Sequence, residues 1–224
     1  MLSMQELEKL ATDISNNYGE MEFKILKAII EILSQYKTFD QANNALRKMA
    51  LKGKAEILAP AMKLTSDMID EKTAVVVSEV FKRTNISVAD IPALERLKTR
   101  AVIDITNSLS NAYNTTFRNA QKSAFKISTY KEINQGIKRE INQIVKQGVV
   151  VSKQGKTIEL FAETTKISLS HYQKTNLLTL QKISEQTGLP PLIIISQHTN
   201  ASEDHARFQG QVFINDVGVE TNGI

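Results

Sequence analysis

A chain of 224 residues that carries only nine Gly and four Pro has few places to reverse direction. A multi-stranded sandwich needs a turn signal every ~8–12 residues. Here such signals are far sparser, so the elements must be long and mostly helical. Trp is absent and aromatic residues make up 6% of the chain, so the core must be built mainly from Leu, Ile, Val and Ala.

The spacing of apolar residues agrees. Ser3 and Glu6 form a capping-box pattern, in which hydroxyl and carboxylate satisfy free backbone N–H groups. Leu7, Leu10, Ile14, Tyr18, Met21, Ile25 and Ile29 follow three and four apart, which predicts one long amphipathic helix to about Tyr36, loosened near Gly19. A second helix is expected from Asp40 to Gly53. A third covers roughly Ala55–Arg83, with Pro60 in its first turn or at a kink. Asn85–Asp90 reads as a turn, with Asp90 as N-cap and Pro92 near the first helical position.

The fourth predicted helix, about Pro92–Ile127, has a narrow apolar seam of Ala101, Ile105, Leu109, Ala112 and Phe117. Its remainder is rich in Asn, Ser and Thr, which are mediocre helix formers. Such a helix depends on packing against neighbours or another subunit. Ser128 is expected to cap a fifth helix running to Gln147, with Gly148 in the left-handed position that ends it.

Then the period changes. Val149–Ser152 and Lys156–Glu159 around Gly155 read as a β-hairpin. A sixth helix should span Leu160–Gln186 and stop at Gly188, followed by a rigid connector at Leu189–Pro191. Leu192–Ser196 and Gln211–Ile214 have the composition of short strands. The expected fold is mostly α: an extended helical region, 1–127, followed by a small α+β domain, 128–224, with a hairpin and short strands.

The chemistry-bearing motifs are few. Cys is absent, which excludes disulfides and thiolate metal sites. No Gly-rich phosphate loop, nucleophile elbow or HExxH pattern occurs. Met1–Lys9 mixes polar and apolar residues and includes Glu6 and Glu8, so no signal peptide is expected there, and no run is long enough for a membrane span. Neither catalytic residues, a cofactor nor a metal are expected.

Two regions could still bind something. Ile91–Gly148 holds ten Lys and Arg against four acids within a net charge of +4. Arg96, Lys98, Arg100, Arg118, Lys122, Lys138 and Arg139 are therefore candidate nucleic-acid contacts, although a solvated helix face has the same composition. The second region is the loop flanked by His198 and His205, which also contains Glu203 and Asp204. Imidazoles and carboxylates together could hold a divalent metal for a hydrolase, but the spacing matches no metal motif. The rings are better read as hydrogen-bonding the loop backbone. His171, between Ser170 and Tyr172, is expected to be exposed or capping.

One combination is more specific. Val151, Gly155, Lys156 and Ile158 fit a V-x-x-x-G-[KR]-x-I hairpin, preceded by a helix and followed by a long helix and an apolar strand ending at Ser196. Then come S-x-H and H-A-x-[WF]-Q-G-x-[VI]-[FY], met by Ser196, His198, His205, Ala206, Phe208, Gln209, Gly210, Val212 and Phe213. In this order, Thr129–Phe213 resembles the phage minor capsid protein 2 family, relatives of the portal-associated head-morphogenesis proteins. Members with C-x-x-C would place the cysteines at Ser202 and His205, so no zinc knuckle forms here, and Phe208 stands where Trp is usual. Many relatives also continue beyond the point matching Ile224.

The resemblance implies a virion protein assembled in the host cytoplasm. It would be present in several copies on the portal or major capsid protein and in contact with packaged double-stranded DNA. It implies no catalysis. Ser196, His198, His205, Phe208, Gln209 and Gly210 would then form a structural clasp.

Overall fold

The computed structural model describes residues 2–84 and 90–188, together with the backbone of two short strands at 192–194 and 212–214. The protein is mostly α with a small hairpin. Its order is α1 (Met4–Asn16), α2 (Gly19–Ser34), α3 (Phe39–Gly53), a π turn (Lys54–Leu58), α4 (Ala59–Thr84), α5 (Pro92–Thr129), α6 (Ile133–Gln147), β1 (Val150–Lys153), β2 (Lys156–Glu159), α7 (Leu160–Thr187), β3 (Leu192–Ile194) and β4 (Val212–Ile214).

The capping box forms as expected: Ser3 Oγ accepts from the Glu6 N–H, and the Glu6 carboxylate accepts from the Ser3 N–H at 2.7 Å. The single long first helix does not form, because the chain breaks at Asn17 and Tyr18 between α1 and α2. The break buries the Tyr18 ring and brings its hydroxyl within 2.9 Å of Thr65 on α4. Ile14, Met21, Ile25 and Ile29 still face the core on both sides of it.

α3 ends at Gly53 as expected, and the chain passes from it through the π turn directly into α4. Two other boundaries move. Asp90 is exposed, and Ile91 occupies the N-cap position ahead of Pro92 without a side-chain cap. Ser128 does not start a new helix. The hydroxyls of Ser128 and Thr129 donate back to the carbonyls of Phe125 and Lys126, which keeps both residues in the last turn of α5.

The hairpin is antiparallel, with Val151 opposite Ile158 and Lys153 opposite Lys156. Its two-residue turn holds Gln154 at φ 46° and Gly155 at φ 76°. Positive φ at both positions is the geometry that matches the twist of the flanking strands, and Gly accepts it without steric cost. β3 and β4 also pair antiparallel, with Ile193 opposite Phe213.

Packing is organised around α7, which lies against α1, α4 and α5. α1 and α7 run antiparallel: the Leu2 N–H donates to Asn176 at 3.4 Å, while Ser15 at the other end of α1 meets Thr164 at 2.9 Å. β1 lies on α5, where the Val150 N–H donates to Thr116 Oγ1 at 3.4 Å. Ile14, Ile25, Ile69, Ile105 and Leu109 are fully buried in one cluster that also contains Leu160, Tyr172 and Ile183. Each such side chain contributes roughly 1.5–3 kcal/mol by leaving water. The division expected at 127/128 falls at the end of α5, and among the described residues the core is continuous across it.

Candidate functional site

α7 carries the least ordinary feature of the fold. An amphipathic helix turns apolar residues inward, yet the buried face of α7 holds Thr164, Ser168, His171, Thr175, Asn176 and Thr179. Phe161 and Leu177 meanwhile are among its exposed residues. The inward polar residues recur three and four apart, so they form one seam facing α1, α4 and α5. Part of it is satisfied within the protein. Ser15 from α1 reaches Thr164 and Thr165, the latter at 2.7 Å, and Asn176 bonds the backbone of Leu2.

His171 sits in the middle of the seam and is 3% exposed, so the expectation of an exposed or capping residue is overturned. Thr73 on α4 explains how it is held. The Thr73 oxygen lies 2.6 Å from the Ile69 carbonyl and 2.8 Å from His171 Nε2, so it ties the ring to α4 by a hydrogen bond. The other ring nitrogen, Nδ1, is buried without a hydrogen-bond partner in the protein. Burial pushes the His171 pKa down to about 4; Leu97 opposes the shift, and Lys174 and Lys98 add to it. The ring is therefore neutral near pH 7.

His171 also forms the floor of a groove of about 200 Å³ between α5 and α7, rimmed by Arg100, Asp104, Lys166 and Lys174. Its Nε2 is committed to Thr73, and no serine hydroxyl bonds to the ring. Among the described residues no group of three or more His, Asp or Glu is placed to hold a metal ion. The seam packs α7 against α1, α4 and α5 with an unusual polarity.

Ser168, Tyr172 and Thr175 also have buried hydroxyls without a hydrogen-bond partner in the protein. A buried polar group left unpaired costs about 1–3 kcal/mol, and removing it without changing shape can be neutral or stabilising. Ser168→Ala and Thr175→Val are each expected to leave stability unchanged or raise it by up to about 1 kcal/mol in urea unfolding. A loss of more than 1 kcal/mol in either would show that the hydroxyl is satisfied.

The structure distributes the candidate basic residues over three places. Lys98 is occupied within the protein: it pairs with Glu95 at 2.8 Å and Asp70 at 3.0 Å, and these hydrogen bonds raise its pKa. Arg100 pairs with Asp104 at 3.0 Å, and Arg96 is exposed on the first turns of α5. On α6, Lys138 is exposed and Arg139 lies over the Tyr130 ring at 5.9 Å. Arg118 and Lys122 stand exposed further along α5 with no carboxylate partner among the described residues.

Arg118 is not alone. It lines a groove of about 440 Å³ with Arg47 and Lys54, two residues outside the 91–148 window. Their separation of seven residues along α3 and the π turn was the available sequence signal. Ser196, His198, His205, Phe208, Gln209 and Gly210 lie outside the described residues, as does the rest of the segment between β3 and β4. No protein-family model matches the chain, and neither a curated protein nor a solved structure is significantly similar to it.

Proposed function

We propose that this chain is a structural component of a phage virion, a minor capsid or head-morphogenesis protein that binds the portal or the major capsid protein. The observation that carries this reading is an ordered series. The S-x-H and H-A-x-F-Q-G residues from Ser196 to Gly210 follow a helix, a hairpin with Gly155 in its turn, a long helix and an apolar strand. Helices α6 and α7, the hairpin between them and strand β3 follow one another in that order. No catalytic role is part of the proposal.

The purified chain should co-sediment with portal rings or capsid shells of the phage that encodes it, in several copies per particle. A monodisperse monomer with no affinity for either would overturn the proposal.

A further inference from the structure

The groove between α3 and α5 has two cationic walls. Arg47 and Lys54 stand on the α3 side, Arg118 on the α5 side, and Asn114 and Gln121 add neutral donors one turn to either side of Arg118. No Asp or Glu lines it. None of the three cations forms an ion pair among the described residues, whereas Lys52, Lys72, Lys98 and Arg100 all do. Three uncompensated charges in one concavity repel each other, so the site as it stands favours an anionic occupant.

The walls are also built rather than accidental. Lys54 opens the π turn, an irregularity that is rare in helices and concentrated at functional positions. The Tyr113 hydroxyl crosses beneath the groove from α5 and donates to the Ala50 carbonyl at 2.9 Å, which pins α3 to α5. Seven residues of helix span about 10 Å, and this is the reach from Arg47 to Lys54 and from Asn114 to Gln121. Ten ångströms of one duplex strand carry about three phosphates. Lys122 and Lys126 continue the exposed cationic row along α5.

We propose that this groove binds the phosphodiester backbone of a nucleic acid, with Arg47, Lys54 and Arg118 each neutralising one phosphate. Guanidinium forks and side-chain amides suit phosphate oxygens. Apart from Leu51 at the rim, the walls offer no exposed apolar anchor of the kind a peptide partner needs. The inference does not depend on the virion reading: a chain that ignored portal rings would still carry this groove.

The test is fluorescence anisotropy with a labelled 20-base-pair duplex, the same-length single strand and a poly-glutamate peptide of matched charge. Three neutralised phosphates predict that duplex affinity falls about 40-fold between 50 and 200 mM salt, and single-strand affinity about 20-fold. Arg47→Gln/Lys54→Gln/Arg118→Gln, three exposed changes whose folding is checked by thermal melt, should weaken binding at least tenfold and flatten the salt slope. Arg96→Gln/Lys138→Gln should stay within about twofold of the wild type. No binding to either nucleic acid, equal loss in both variants, or poly-glutamate binding as tightly as the duplex would each overturn the proposal. The last outcome would assign the groove to an acidic protein segment.

Discussion

Gly53→Ala is expected to destabilise the protein by about 2–3 kcal/mol, the cost of forcing an extra carbon into a filled space. A Cβ at this position would sit 2.2 Å from the Tyr113 hydroxyl oxygen, closer than any real contact. Tyr113 cannot swing aside. Its side chain is fully buried, its ring lies 4.9 Å from that of Phe117, and its hydroxyl is bonded to Ala50. Removing that hydroxyl should separate the clash from other causes. Tyr113→Phe alone forfeits one hydrogen bond, about 1 kcal/mol. In its presence the nearest remaining ring atom is Cζ, 3.3 Å from the new Cβ, so adding Gly53→Ala should cost less than 1 kcal/mol. The double-mutant cycle in urea should therefore show a coupling of about 1.5–2 kcal/mol. Strictly additive costs would mean that the α3–α5 contact does not limit residue 53. Gly53→Ala should also weaken polyanion binding, because Lys54 and Arg118 face each other only while Tyr113 holds the two helices together.

What the sequence disclosed follows from which forces are local. The stripe from Leu7 to Ile29 was legible because burial of one helix face imposes its period on the residues themselves. The break at Asn17 and Tyr18 was legible only as a loosening near Gly19; the bond from Tyr18 to Thr65, a partner 47 positions away, was not. The hairpin was legible from Gly155, because a two-residue turn demands positive φ where Gly supplies it. The π turn was legible only as the kink that Pro60 allows: it ends two residues before that proline, whose missing N–H leaves the Glu56 carbonyl inside the turn without its usual helical donor.

The candidate sites divide in the same way. Arg118 could be found from local charge excess, but its partners Arg47 and Lys54 come from a helix far away in sequence. His171 was misread because the binary pattern assigns Thr and Ser to water. In α7 Thr164, Ser168, His171, Thr175 and Thr179 recur three and four apart, and it is this polar face that is buried. Hydroxyls that bond their own helix can be buried at low cost, as Thr164 and Thr179 do through the carbonyls of Leu160 and Thr175.

Acidification should expose His171 as the weak point of this packing. In the unfolded chain an imidazole titrates near 6.5, whereas in the fold burial holds His171 at about 4. Between these values the unfolded state binds the additional proton, so stability falls as pH falls. The contribution is complete above about pH 6.5 and is lost progressively down to about pH 4, with a total on the order of 3 kcal/mol. Glu6 acts in a different window. Hydrogen bonds from the Ser3 backbone and side chain and from Arg83 hold its carboxyl down at about 2. Its contribution is present above about 4.5 and lost only below that. Urea midpoints measured between pH 7.5 and 4.5 should therefore report on histidine. His171→Gln should be less stable at pH 7.5 but nearly flat over this range. Thr73→Val supplies an independent check. It leaves Nε2 without its hydrogen-bond partner and should cost about 1–3 kcal/mol at neutral pH. A wild-type curve that is flat between pH 6.5 and 4.5 would mean the ring is already hydrated or protonated in the fold. If the slope is found, an uncharged His171 ring is part of what holds the seam along α7, and a single proton on it is enough to loosen the helix that packs against α1, α4 and α5.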